Sequence, residues 1–222
     1  MRDQYHIDLE KYSLQKFKEN LRSREMIPSR VSLKDDLDDK FRIIENSDIT
    51  NHKELIGTLK TKLKIEQYSK ETGLSIEYLT LLNREAKSYL PNPIRLDKIP
   101  GVVSKYVKRL ESVGIKNSRH LFNAAKGKAE RERLSRITEI PIGVLNELVG
   151  LSDLSRAYGV GPVFARMIYD VGIKSIQEFV GYSAEDIIRV YEEKSQKKAD
   201  FGVNEIQFSL ELARELDIAV EI

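Results

Sequence analysis

Two glycine-bearing bends offer the plainest chemistry in this 222-residue sequence. The first in prominence is Tyr158-Gly159-Val160-Gly161-Pro162-Val163. Gly159 and Gly161 free the backbone to turn tightly and allow close approach of a ligand. Pro162 suits the first position of a helix, where its missing N–H is no loss. A helix beginning there presents unpaired N–H groups and a partial positive charge, which together attract phosphate oxygens. Arg166, about one turn on, and Lys174 in the next loop add positive charge. The second bend is Ile99-Pro100-Gly101-Val102-Val103-Ser104-Lys105. Val103 stands where the second glycine would be, and Ser104, Lys105, Lys108, Arg109, Lys116 and Arg119 compensate with a hydroxyl and charge. The candidate backbone-binding set is therefore Gly159, Val160, Gly161, Val163, Arg166 and Lys174, with Gly101, Ser104, Lys105, Lys108 and Lys116. Contacts of this kind hold a duplex in place without reading its bases.

Catalytic chemistry finds little to work with. The histidines, His6, His52 and His120, are far apart and have no metal-ligand or nucleophile partner at useful spacing. There is no cysteine, hence no disulfide, thiolate zinc site or thiol nucleophile. No phosphate loop ending in Gly-Lys-Ser/Thr occurs. A non-enzymatic protein without cofactor or metal is expected. Asp35, Asp36, Asp38 and Asp39 would repel phosphate, and they fit better as acids favouring a helix N-terminus. Tyr78, Tyr89, Tyr158 and Tyr169 have the planar rings that stack on bases, yet their helical spacing favours packing.

Net charge hides a division. The whole chain carries +2. From Arg95 to Arg136 there are twelve basic and four acidic residues, a net of +8; from Glu139 to Ile222 there are eight and fifteen, a net of −7; residues 1–94 carry +1. A basic band followed by an acidic one suggests a middle that faces nucleic acid. Residues 1–9 lack the apolar core of a secretory signal, and no run approaches the ~18 apolar residues that span a bilayer. A cytoplasmic protein without a membrane segment is the expectation, in keeping with the missing cysteines.

The elements that must position the bends emerge from internal self-similarity. Asp48-Ile49-Thr50-Asn51, Gly114-Ile115-Lys116-Asn117 and Gly172-Ile173-Lys174-Ser175 place their isoleucines 66 and 58 residues apart. Gly101 precedes Gly114 by thirteen residues, as Gly159 precedes Gly172. Ile49 to Leu74 is 25 residues, as is Ile115 to Ile140; the third copy aligns only with a small insertion near Lys194–Lys198. Val103, Tyr106, Val107 and Leu110 form a helical stripe ended by Gly114. Asn117, Ser118 and Ser175 are suited to cap helices over 119–125 and 176–181, and Ser183 opens a further one. A charged amphipathic helix is expected over 8–25, with Leu14, Phe17 and Leu21 on one side. No segment alternates with period two, so the fold is expected to be all-α. Pro91-Asn92-Pro93 divides residues 1–92, an N-terminal helix plus a degenerate first repeat, from a tandem pair in 93–222, with repeats at about 93–152 and 153–222.

The string Tyr158 to Ile173 resembles the helix-hairpin-helix signature of DNA polymerases, ligases, junction-binding proteins and repair nucleases. The chain as a whole resembles bacterial proteins carrying a tandem domain of unknown function from that group. The resemblance implies three tandem helix-hairpin-helix-like, SAM-domain-like repeats, with paired hairpins that straddle a duplex groove. Two functions stay open: non-specific binding of double-stranded DNA, or a scaffold that binds another protein and no nucleic acid.

Overall fold

A computed structural model describes residues 4–221, and these are helical, with two isolated bridges in place of any sheet. The chain divides into two compact units. One is Ile7–Leu90; the other runs from Pro91 onward and includes the N-terminal segment up to His6. Residues 1–3 and 222, at the outer ends of the two expected domains, lie outside the described residues.

The first unit contains α1 (Leu14–Ser23), a 3-10 turn (Pro28–Lys34), α2 (Leu37–Glu45), α3 (His52–Thr58), α4 (Lys62–Thr72) and α5 (Ile76–Ser88). The second contains a 3-10 turn (Leu96–Lys98), α6 (Ser104–Ser112), α7 (Ser118–Ala125), α8 (Lys128–Thr138), α9 (Ile142–Leu154), α10 (Pro162–Asp170), α11 (Ile176–Phe179), α12 (Ala184–Ser195) and α13 (Val203–Ala213). Helix α1 is shorter than the expected 8–25. Its cap is Ser13, whose hydroxyl accepts the Lys16 amide, and Arg24 leaves the helix in an extended conformation.

After α1, three successive series of four helices have related lengths. α2 to α5 have 9, 7, 11 and 13 residues; α6 to α9 have 9, 8, 11 and 13; α10 to α13 have 9, 4, 12 and 11. The chain turns left-handed after the first helix of each series, at Asp48 (φ 59°), Gly114 (φ 87°) and Gly172 (φ 103°). It does so again after the third, at Gly73, Glu139 and Gln196. Asn51, Asn117 and Ser175 cap the second helices, accepting the amides of Glu54, His120 and Glu178. The first amide of each second helix also finds a partner upstream: His52 N donates to Tyr12 O (2.9 Å), Ser118 N to Ile94 O (2.9 Å) and Ile176 N to Asp153 Oδ2 (2.8 Å).

Each unit buries a polar knot. In the first, Glu85 is wholly buried and ion-paired with Arg24 and Arg30. Beside it His52 donates through Nε2 to Ala86 O (2.8 Å) and lies among Phe17, Tyr12 and Tyr89. Burial holds the imidazole neutral, with its pKa lowered to about 4. In the second unit Arg156 is 1% exposed. Its guanidinium pairs with Asp153, donates to the carbonyls of Gln4, Tyr5 and Asp217, and lies 4.5 Å from the Phe122 ring. Burial raises the Asp153 carboxyl, partly offset by the charge of Arg156 and the Ile176 amide. Around this knot α9 is buried on nearly every side.

Candidate nucleic-acid interface

Both glycine bends lie in the second unit, and both are open to solvent. Gly159 is left-handed (φ 75°) and exposed, while Val160 between the glycines is buried at 4%. Gly161, at φ −80° and ψ −179°, is the N-cap of α10, with Pro162 at its first position. A Cβ at either glycine would meet no atom within 4 Å. The other bend repeats this shape: Gly101 has φ 78°, and Val103 caps α6 at φ −78° and ψ 120°. Since Gly161 and Val103 are both extended with negative φ, this position needs no glycine, and valine follows the path without strain.

Helix geometry leaves donors at both bends. Neither α6 nor α10 has a side-chain cap. In α10 the first backbone bond is Ala165 N to Gly161 O (2.8 Å), so the Val163 and Phe164 amides have no backbone acceptor among the described residues. In α6 the first is Tyr106 N to Val103 O (3.0 Å), which leaves Ser104 and Lys105 likewise. These are the orphan donors of a helix start.

Arg166 ties α10 to the Gly101 bend. Its Nε donates to Pro100 O (2.8 Å), one residue before Gly101, while its two terminal nitrogens reach Glu147 (2.5 Å) and Asp170 (3.2 Å). These five residues, Pro100, Gly101, Glu147, Arg166 and Asp170, line a shallow depression between the Gly101 bend and helices α9 and α10. Burial alone would lower the guanidinium's pKa, but its hydrogen bonds to Glu147 and Asp170 outweigh that and raise it. Arg166 is thus ion-paired in the fold, and its donors tie α10 to the 99–103 bend and to Glu147. Lys174 is similarly engaged, with Nζ 2.5 Å from Tyr169 O and 3.8 Å from the centre of the Tyr169 ring.

Free cations lie on the other series. Lys105, Lys108 and Lys116 are exposed and enter no ion pair among the described residues. Lys105 extends over the Tyr106 ring, 4.9 Å from its centre. Ser104 is exposed at the start of α6. Arg109 differs from these, because it donates to the carbonyls of Thr138 (3.3 Å) and Glu139 (2.6 Å) and so caps the end of α8. His120 is exposed, and its Nδ1 accepts the Lys116 amide (3.3 Å).

The acidic surroundings of the Gly159 bend turn out to be occupied. Asp153 is internal, Asp170 is spent on Arg166, and Glu178 accepts the Lys174 amide (2.6 Å). In the first unit Asp38 pairs with Lys18 (2.9 Å) and Arg22 (2.5 Å), and Asp38 and Asp39 sit in the first turn of α2. Tyr78 and Tyr89 are buried, and Tyr158 packs edge-on against Phe208. No group of three His, Asp or Glu among the described residues is placed to hold a metal, and no helix among them is long and apolar enough to cross a membrane.

A family model described as a domain of unknown function (DUF4332) matches residues 100–215. The chain belongs to that family. The DUF4332 segment takes in both bends, Arg166 and all of α6 to α13, and leaves the unit of α1 to α5 outside it. No curated protein and no solved structure matches the chain.

Sequence reasoning missed the Asp153–Arg156 knot entirely. A signal was present: Asp153 and Arg156 stand three apart at the end of an apolar helix, the spacing of an ion pair on one face.

Proposed function

We propose that this protein grips the sugar-phosphate backbone of double-stranded DNA without reading sequence, through two helix-hairpin-helix-like bends in a set of three tandem SAM-domain-like repeats. It is a non-enzymatic, cytoplasmic binding protein. One observation carries the reading: Arg166 on the second turn of α10, the helix that the exposed Gly159 bend begins, hydrogen-bonds Pro100 O beside the exposed Gly101 bend, so α10 packs next to that bend. Lys105, Lys108 and Lys116 give that neighbourhood its charge. The matching helix lengths, caps and left-handed turns of the three series support the repeat assignment. The first repeat takes no part, since Asp35 and Asp36 replace the bend.

A second reading, a protein-interaction scaffold, is favoured by the apolar residues at the two bends: Val103 is 49% exposed and Val163 68%. Fluorescence anisotropy with a random-sequence duplex at low salt separates the two. Binding should weaken steeply as salt rises, as counterion release requires, and Lys105→Glu with Lys108→Glu should abolish it. A chain that binds neither duplex nor single strands at low salt is not a DNA-binding protein, and the scaffold reading then stands.

A further inference from the structure

The second unit holds a segment that comes to it from the other end of the sequence. Gln4, Tyr5 and His6 belong to that unit, while Ile7, the next residue, belongs to the first. Tyr5 is wholly buried, with its ring edge-on to Phe122 (5.6 Å). Arg156 donates to its carbonyl (3.2 Å) and to that of Gln4 (2.9 Å), and Lys126 donates to the side-chain oxygen of Gln4.

Room for Tyr5 comes from two differences between the series. Helices α5 and α9 correspond with an offset of 66 residues, which pairs His52 with Ser118 and Tyr89 with Ser155. In the first unit the His52 and Tyr89 rings lie against each other (4.8 Å), and His52 donates to Ala86 O. In the second unit two serines stand at these positions, and the Tyr5 hydroxyl meets both, 2.6 Å from Ser118 Oγ and 3.2 Å from Ser155 Oγ. Ser155 donates its proton to Ser152 O (2.8 Å), the counterpart of Ala86 O, so towards Tyr5 it accepts. The Tyr5 proton therefore goes to Ser155. Ser118 in turn donates to Tyr5 while it accepts the Ile94 amide (3.0 Å). This one-way chain fits a hydroxyl that accepts and donates at once, and a phenyl ring would break it in two places.

The recognising groups are also held without their occupant. Ser118 is fixed by Ile94, Ser155 by Ser152, and Arg156 by Asp153 and by Asp217 O (2.8 Å), all within 94–217. We infer that the second unit carries a socket for an extended, tyrosine-bearing peptide, and that residues 4–6 fill it as a tethered, replaceable ligand. Ser118 and Ser155 select the phenol, and Arg156 grips the carbonyls of the tyrosine and of the residue before it. A free peptide with the same pattern takes the socket when the tethered tyrosine is missing.

The test uses the full chain carrying Tyr5→Ala and a peptide of residues 1–9, labelled at its C-terminal end and read by fluorescence anisotropy. The variant should bind the peptide saturably, and unlabelled peptide should raise the variant's Tm by mass action. Wild type should bind at least about tenfold more weakly, because its own segment competes at high effective concentration. A Tyr5→Phe peptide should bind the variant about 10- to 100-fold more weakly, since it leaves buried hydroxyls of Ser118 and Ser155 without a partner. No saturable binding to a folded variant, or equal affinity of the two peptides, overturns the proposal. Equal binding by wild type places the peptide elsewhere and does the same. A variant that stays unfolded in a large excess of peptide also overturns it, because the socket then does not form apart from its own segment.

Discussion

Gly150 sits in the middle of α9 with backbone packed directly against it. A Cβ built there would lie 2.5 Å from Lys174 O and 2.8 Å from Cε2 of Tyr169. The carbonyl belongs to the main chain of the turn before α11 and has no rotamer by which to escape. Gly150→Ala therefore sets two effects against each other. Alanine gains about 1 kcal/mol over glycine in a helix interior, and overpacking against rigid neighbours costs about 1–3 kcal/mol, occasionally more. With a main-chain contact this short the upper part of that range applies, and the net is a destabilisation of about 2 kcal/mol. For a unit of this size that lowers Tm by roughly 6–8 °C. Gly143, in the first turn of the same helix, is exposed and has nothing within 4 Å of the same built atom. Gly143→Ala should leave the stability unchanged or raise it by at most about 1 kcal/mol, with Tm unchanged or higher. Calorimetric unfolding of the full chain reads both. If Gly150→Ala melts at or above the Gly143→Ala variant, the close packing of α9 on the Tyr169–Lys174 turn is wrong.

Two further outcomes follow from His52 and Arg166. His52 titrates at about 4 in the folded unit against 6.5 unfolded, so the unfolded chain takes up the proton first as pH falls. Its stabilising contribution is complete above pH 6.5 and is lost progressively down to pH 4, about 3 kcal/mol in all. NMR of the imidazole Cε1 proton checks this: a midpoint above 5.5 contradicts the burial, and the site-resolved signal keeps it apart from Asp153, which titrates with the opposite sign. Arg166→Met removes the hydrogen bond to Pro100 O. Amide exchange across residues 99–103 should accelerate while exchange in α3 stays at the wild-type rate, and unchanged exchange at 99–103 would show that Arg166 does not hold α10 to that bend.

The framework was legible because it rests on local rules. Spacings of 66 and 58 between Ile49, Ile115 and Ile173 placed the left-handed turns, since glycine or aspartate is what an L-chain tolerates there, and Asn51, Asn117 and Ser175 announced the next helices. The start of α1 was misread because Asp8, Lys11 and Tyr12 continue a helical-looking pattern; the chain there is instead a turn, with Tyr12 O accepting the His52 amide. At the site, the exposed bends follow from Gly-x-Gly-Pro, but the state of the charges does not. Arg166 binds a carbonyl 66 residues upstream, and Arg156 reaches carbonyls more than 150 residues upstream as well as Asp217 downstream. Nothing in composition or periodicity encodes such pairings. A sequence shows how many charges there are, and only the fold shows which are already matched.

That distinction changes how the charge pattern bears on function. Read as sums, the +8 band of Arg95–Arg136 attracts phosphate and the −7 remainder repels it. In the fold, the band loses Arg95 and Arg109 to Asp97 and Glu139, and Arg131 to the carbonyls of Ala125, Lys126 and Glu221. The acidic half loses Asp153 to the core, Asp170 to Arg166, and Glu178 to the Lys174 amide. What remains near the bends is a short set of unpaired lysines around backbone donors that carry no net charge, beside the Arg166 cluster, in which one positive charge faces the two carboxylates of Glu147 and Asp170. Such a surface attracts an anion at close range, where amides and ammonium groups act together, more than at long range, where the acidic surroundings screen it. Affinity should therefore depend on salt through direct contacts, with a modest association rate, and a fast, strongly steered association would point to a different surface.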